Sequence, residues 1–386
     1  MEINNNDKFK LIALYFTQLH AIPENDRWWG AGFTDWINVK KASPLFEGHN
    51  QPRIPLNENY YDQSKIEVLR KQIELAKKYG IFGFCHYHYW FDGKQLLETP
   101  TNLLLDNTDL DFPFCLSWAN ETWSRRWDGQ DHQILIKQTH PPYEKNWKLH
   151  FDYLVRAWKD ERAIKIDGKP IFIIYRPRKI KKLNEMLSFW QKLAKKAGLK
   201  GIYFIYQAQT DIPVRHLTGF NAEFRFQPFN AINTGPRNYF DKTANFFRIA
   251  HIINFCRDIV KKNLAKKIKG CKYTSYQELS YDRVWEKIIA QEPNNKIVTY
   301  KGAFVDWDNT ARYKERATIF QNSTPERFEY WLSLLFESIL QKNEEKVVFV
   351  NAWNEWAEGA YLEPDAKYGY RYLEAIERII KKYNSN

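Results

Sequence analysis

The sequence predicts an α/β fold, a (β/α)8 barrel of the TIM type with long loops and an insertion between the sixth and seventh strands. Three observations carry this expectation. Eight short apolar runs recur along the 386 residues, helical patterns fall between most of them, and polar and aromatic residues gather just past the ends of the runs. Near-continuous apolar runs suit parallel strands covered on both faces. Strands alternating with helices suit a barrel, whose chemistry lies at the carboxyl ends of its strands.

The first run, KLIALYF at 10–16, is followed by a long loop over 17–61 and a helical pattern over 62–80. In that pattern Ile66, Leu69, Ile73 and Ala76 recur at helical spacing, Asp62 or Ser64 can cap the start, and Gly80 follows the end. The second and third runs are IFGFCHYH at 81–88 and FPFCLSW at 112–118, with a helix expected over 143–160. The fourth, PIFIIYR at 170–176, precedes a helix over 181–197. GIYFIYQ at 201–207 and FNAEFRF at 220–226 are the fifth and sixth, joined by a short link. Residues 227–300 then read as an inserted segment of helix and loop. GAFVDW at 302–307 is the seventh run, followed by a helix over 324–341 with Ser323 or Thr324 as cap and Pro325 in the first turn. KVVFVNAW at 346–353 is the eighth, and a helix is expected over 366–384. With no repeat, low-complexity linker or composition break, residues 1–386 read as one barrel domain carrying the 227–300 insertion.

Composition narrows the function. The 15 Trp and 23 Tyr exceed what an ordinary core needs, and amphipathic rings suit the C–H faces of sugars. The net charge of +12, concentrated at 178–184 and 257–272, favours anionic partners: nucleic acid, an anionic leaflet or phosphorylated substrates. No nucleic-acid-binding module accompanies the charge, so nucleic acid is not an expected partner. Phe246, Ile249, Ile253 and Val260 recur near helical spacing beside lysines, so 246–270 can lie on an anionic membrane surface or pack on the barrel. The opening MEINNNDKFKLIALYF lacks a signal-peptide pattern, and no apolar run approaches the roughly 20 residues that span a bilayer. Four widely spaced cysteines suit a reducing compartment. The expected location is the cytoplasm, with peripheral contact at the inner membrane surface as a further expectation.

The strand exits supply the candidate site. His86 and His88 end the second run and, two apart, share a face; they suit sugar hydroxyls or a metal. Trp118, Asn120, Glu121 and Trp123 follow the third, and Arg176 ends the fourth. Asp306, Trp307, Asp308, Asn309 and Arg312 cluster at the seventh, and Trp353, Asn354, Glu355 and Glu358 at the eighth. Alternation along the eighth strand places Phe349, Asn351, Trp353 and Glu355 on one face, and Gly359 permits a turn that returns Glu358 to the same mouth. Two nearby carboxylates push their proton affinities apart, so one serves as acid and the other as base or nucleophile. Glycosyl transfer needs that division. The Asp306-Trp307-Asp308 triplet matches the Asp-x-Asp pattern of some glycosyltransferases in two residues only, so both aspartates are taken as sugar-contacting or structural. No Gly-rich phosphate loop, serine elbow or Cys-x-x-Cys pair is present, and neither cofactor nor metal is expected.

Five stretches in order also resemble a known family: WWGAGFTDWINVKKASPLFEGHNQPRIPL, FGFCHYHYWFDGKQLLETP, FPFCLSWANETWSRRWDG, DWDNTARY with TIFQNSTPERFEYWL, and VFVNAWNEWAEGAYLEPD. Together they resemble WbsX-type proteins, glycosyltransferases of surface-polysaccharide synthesis, from about residue 10 to about 380. That group is similar in turn to the endo-acting α-mannosidases and mannanases of glycoside hydrolase family 99, whose Asn-Glu-Trp-x-Glu-Gly motif matches Asn354, Glu355, Trp356, Glu358 and Gly359. The resemblance implies Glu355 as base on a sugar 2-hydroxyl, Glu358 as acid, and retention through a 1,2-anhydro sugar. His49, inside the first stretch, joins the substrate-contacting candidates. A sugar donor and a saccharide or lipid-linked acceptor are the implied partners. Transfer in O-antigen or capsule synthesis is the first expected function. An endo-acting retaining hydrolase and a non-catalytic carbohydrate-binding protein are the alternatives.

Overall fold

The computed structural model describes residues 1–3, 8–125, 130–210, 218–234 and 276–385. Eight parallel strands form a closed ring: β1 (Lys10–Tyr15), β2 (Gly83–Phe91), β3 (Phe114–Trp118), β4 (Lys169–Ile174), β5 (Tyr203–Ala208), β6 (Ala222–Arg225), β7 (Val298–Phe304) and β8 (Val347–Asn351). Each strand pairs with the next, and β8 returns to β1 with Lys10 opposite Val347. This is the expected TIM barrel, with every strand within a few residues of its apolar run.

The surrounding helices are α1 (Ile66–Lys78), α2 (Thr99–Asp106), α3 (Glu144–Lys159), α4 (Leu183–Lys196), α5 (Tyr281–Ala290), α6 (Pro325–Gln341) and α7 (Arg371–Asn384). Thr324 caps α6 by accepting the Arg327 amide, and Pro325 fills the first position as expected. Two starts differ from the periodicity. At α1 the Asp62 carboxylate accepts the Ser64 amide at 2.9 Å and makes a local turn, so the helix begins at Ile66. Before α7, Asp365 accepts the Tyr368 amide and the Tyr361 hydroxyl, which delays the start to Arg371. α2 and α5 were not apparent from periodicity.

Period-2 alternation splits the sheet into two layers. Leu11, Ala13, Phe84, Phe114, Leu116, Phe172 and Phe204 face outward against Leu69, Leu154, Trp190 and Leu332 of the helices. Ile12, Leu14, Cys85, Tyr87, Ile173, Ile205, Phe224 and Phe349 fill the barrel interior. Between β6 and β7 the backbones approach so closely that a Cβ on Gly302 would lie 1.9 Å from the Arg225 carbonyl oxygen.

The long loop after β1 holds short helices at Pro23–Trp29 and Trp36–Lys41. The described flanks of the expected insertion hold a short helix, Phe229–Asn233, and α5. Residues 235–275 lie outside the described residues, and with them the expectations for 246–270 and 257–272. Among the described residues no helix is long and apolar enough to cross a membrane.

Candidate active site

A cavity of about 540 Å³ opens at the carboxyl ends of the strands. Phe16 and Gln18 line it after β1, Tyr87 and Tyr89 on β2, and Glu121 and Trp123 after β3. Tyr175 and Arg176 follow β4, Gln209 follows β5, and Phe226 follows β6. Trp307, Asn309 and Arg312 line it after β7, and Asn351, Glu355 and Glu358 from β8 onward. The first loop adds Asn25, Trp28 and Trp29.

Both glutamates therefore reach one cavity, on a tight hairpin. Asn354 and Glu355 pair antiparallel with Tyr361 and Ala360, and a 3-10 turn spans Trp356–Glu358. Gly359 closes it at φ +66°, against Asp308; a Cβ there would sit 2.9 Å from the Asp308 amide nitrogen. That amide donates to the Glu358 carbonyl at 2.7 Å. Below the turn, buried Glu363 accepts four bonds: from Gln72 and Trp353 at one oxygen, and from Tyr61 and Trp356 at the other. Trp356 of the motif and Trp353 just before it are thus anchored to this carboxylate.

One guanidinium bridges the acids. Arg312 donates through one terminal nitrogen to Glu358 Oε1 at 2.5 Å. Through the other it donates to Asp35 Oδ2 at 2.5 Å and, at 3.4 Å, to Glu355 Oε2. Burial disfavours the arginine charge, but Asp35, Glu358 and Glu355 together hold its pKa well above the ordinary value. Burial raises Glu355 well above the usual carboxylate range, and the Glu358 charge pushes it further. Burial also raises Glu358, against the opposing charge and short bond of Arg312. The resting pair is thus unequal: Glu358 holds the arginine and Glu355 has the stronger claim on a proton.

Seven other expected residues line the cavity or border it in different ways. Glu121, Trp123, Arg176, Trp307, Asn309 and Arg312 all line it. The Trp307 indole N–H is buried and meets no acceptor among the described residues. Asn120 is buried instead beneath the rim, where its amide brackets the backbone of Arg176.

The remaining expected residues are placed elsewhere. His86 and His88 face the helix layer rather than the mouth. His86 stacks on Tyr15 and shares a bond with Thr101 at 3.0 Å; His88 meets His150 at 2.8 Å. Burial pushes both imidazoles down to about 3, so each is neutral. The side chains of β2 that reach the cavity are those between and beyond them, Tyr87 and Tyr89. A one-residue error of phase swaps the faces of a strand, and β2 is aromatic on both. Trp118 likewise packs outward against His150 and Trp190. Trp353 also turns outward onto Phe84, because ladder pairing ends at Asn351 and alternation no longer governs beyond it. Asn354 brackets the Phe16 backbone and ties the β8 exit to that of β1.

Asp306, Asp308 and His49 form a buried network behind the hairpin. Asp308 Oδ2 accepts from His49 at 2.9 Å, Gln51 at 2.7 Å and Arg53 at 3.3 Å, while Arg53 also reaches Asp306 at 2.8 Å. His49 Nδ1 accepts the Leu45 amide, so Nε2 is the donor to Asp308. Burial works against the Asp308 charge, yet His49, Arg53 and Thr310 hold its carboxyl well below the usual range. These residues support the acid hairpin and do not line the cavity. Among the described residues no group of three or more His, Cys, Asp or Glu side chains is arranged to hold a metal ion.

Asp35, Trp28, Trp29, Tyr87 and Tyr89 escaped the sequence reading as site residues. Asp35, Trp28 and Trp29 sit in the long first loop, which has no periodicity to place them; only the resembling stretch that contains them marked the loop.

Comparison with known proteins bears on this geometry. The chain is 34% identical over 376 residues to an uncharacterized protein WxcX of Xanthomonas campestris pv. campestris, matching 96% of this chain and 50% of the relative. It therefore spans about half the length of the curated relatives it matches. Among solved structures, an endo-α-mannosidase of family GH99 from Bacteroides thetaiotaomicron superposes with a TM-score of 0.54 at 13% identity over 97% of both chains. A glycoside hydrolase-like protein superposes with a TM-score of 0.56 at 12% identity over 98% of this chain and 95% of its own. At such identities the likeness establishes the barrel fold. The glycosyltransferase WbsX family matches residues 11–376, nearly the whole chain, and the chain belongs to that family.

Proposed function

We propose that this protein transfers glycosyl groups in the synthesis of a surface polysaccharide, O-antigen or capsule, with Glu355 and Glu358 as its catalytic pair. The observation that carries the reading is the sharing of one buried guanidinium, Arg312, by both carboxylates at the wall of an aromatic-lined cavity. Family membership supports transfer over hydrolysis.

In the proposed reaction Glu355 takes the proton of the donor sugar's 2-hydroxyl, and that oxygen closes on the anomeric carbon as the bond to the leaving group breaks. The leaving oxygen takes a proton from Glu358. An acceptor hydroxyl then opens the 1,2-anhydro ring, giving its proton to Glu358, while Glu355 returns the first proton to the 2-oxygen. Configuration is retained. The resting site orders the pair the other way, with Glu355 as the stronger proton holder. The shared proton must therefore pass from Glu355 to Glu358 as substrate loosens the Arg312 contact. The Trp307 indole and the rings of Trp28 and Trp123 offer the sugar a donor and apolar faces. A lipid-linked acceptor at the cytoplasmic membrane face fits the basic composition.

Incubation with a panel of nucleotide sugars and oligosaccharides tests the reading. Acceptor-dependent nucleotide release is expected; shortening of neutral oligosaccharides without it would make the protein a hydrolase. Glu355→Gln and Glu358→Gln are each expected to lower turnover by roughly 10²–10⁴-fold while sugar binding persists. Full turnover in either variant removes that residue from the mechanism.

A further inference from the structure

We infer that Arg176 and the basic ridge that follows it form a diphosphate-recognition site at the edge of the cavity. The inference rests on the glycosyl-transfer reading above and names the anionic part of the substrate.

Arg176 lies two residues past the end of β4 and lines the cavity, with its side chain 34% exposed. Its backbone is fixed on both sides by the Asn120 amide, at 2.7 Å and 3.0 Å. Its guanidinium lies over the Tyr175 ring at 4.6 Å, and its Nε donates to Glu121 at 2.7 Å. Among the described residues no hydrogen bond engages its two terminal nitrogens. An arginine held by its stem, its Nε and a ring face presents those nitrogens as a preformed fork, the geometry that pairs with two oxygens of an anion.

The chain then continues as Pro177–Lys179, a single 3-10 turn, into α4. Five of the seven residues from 176 to 182 are cationic, and no acid intervenes before Glu185. Arg178, Lys179, Lys181 and Lys182 are exposed, and none has an ion-pair partner among the described residues. Glu121 is the ion-pair partner of Arg176, and the four cations that follow have none among the described residues, which leaves a local run of positive charge. A single sugar carboxylate would occupy the fork and leave the ridge unmatched. A diphosphate carries enough charge to engage both.

The probe is inorganic pyrophosphate, titrated into the full chain at low and at moderate salt, with binding read by calorimetry. Saturable binding that weakens with salt is expected. Arg176→Lys keeps the charge but loses the fork, and is expected to weaken binding roughly tenfold or more. Replacement of Arg178, Lys179, Lys181 and Lys182 by alanine, all at exposed positions, is expected to weaken it similarly and to flatten the salt dependence. No saturable binding, or equal binding by wild type and both variants, overturns the inference. So does glucuronate binding as tightly as pyrophosphate, because the site would then be a carboxylate site. Two arms separate the sources of the diphosphate. Tighter binding of a nucleoside diphosphate than of pyrophosphate assigns the site to the donor. Retention on vesicles carrying a polyprenyl diphosphate, with no gain for the nucleotide, assigns it to the acceptor. Retention on phosphatidylglycerol vesicles without pyrophosphate binding counts against the inference. Glu355→Gln is expected to bind pyrophosphate normally, so loss of turnover there and loss of anion binding here are separate results.

Discussion

At the scale of single residues, the site turns on how one arginine divides its bonds. Among the described residues Arg312 meets three carboxylates, and one cation cannot neutralise all of them. Asp35 is nearly fully buried and takes one terminal nitrogen at 2.5 Å, which aims the other nitrogen at Glu358 and leaves Glu355 a long contact. Asp35 thus acts through Arg312 as a positioning residue. Its charge also raises the proton affinity of both glutamates. Asp35→Asn removes that charge and frees the arginine for the glutamates, and both effects lower their pKa values. The expected result is a pH profile of kcat/KM displaced to lower pH, together with reduced kcat. A merely structural role for Asp35 would reduce activity without moving the profile, so an unmoved profile decides against this account.

At the scale of elements, the acid hairpin is held from two sides, and each side gives a prediction. Gly359 sits at φ +66° with its α-carbon against Asp308, so Gly359→Ala meets both a backbone penalty and a 2.9 Å contact. A loss of at least ~1–2 kcal/mol in urea unfolding is expected, with a fall in turnover as Glu358 shifts. Glu363 holds the other side through its four donors. Glu363→Gln points an amide N–H at one of them and is expected to cost about 1–3 kcal/mol. Burial pushes the Glu363 carboxyl up to about 7, against its four hydrogen bonds. A proton is therefore bound more tightly in the folded state, so this group's contribution to stability is complete below about 4.5 and is lost as the pH rises through about 7. The stability of wild type relative to Glu363→Gln should fall over that window by at most ~1.4 kcal/mol per pH unit. A flat difference would mean that Glu363 stays ionised throughout. These elements also show what was legible in advance. The eight strands, the capped α6 and the glutamate-bearing turn followed from apolar runs, Thr324-Pro325 and Gly359. The facing of β2 did not, because HYHYW offers polar aromatic residues to both faces and hydropathy cannot choose between them. Nor did the support role of His49, Asp306 and Asp308, which depends on contacts across some 250 positions of chain that no local pattern encodes.

At the scale of the whole molecule, the barrel sorts its aromatic surplus into two populations by the face of the sheet each residue occupies. Trp118 on the outer face packs against Trp190 of α4 between strands and helices, and inward or rim residues such as Trp123, Trp307 and Tyr89 surround the cavity. Composition alone treats them as one class, but the architecture gives them separable consequences. Trp118 is 4% exposed and touches His150, His140 and Trp190, so Trp118→Ala leaves a void in the helix layer. A loss of about 3–5 kcal/mol in unfolding free energy is expected, with saccharide affinity of the folded fraction unchanged. Trp123 is only half-buried and meets Tyr89, Phe91 and Trp28 edge-on at the cavity wall. Trp123→Ala should therefore weaken saccharide binding by ~1–3 kcal/mol while unfolding changes little. Calorimetric binding and urea unfolding measured on both variants give four numbers, and the expectation is that they separate into two pairs. Equal loss of affinity in both variants would place the saccharide against the helix layer, and unchanged affinity in Trp123→Ala would move it away from the β3 side of the cavity.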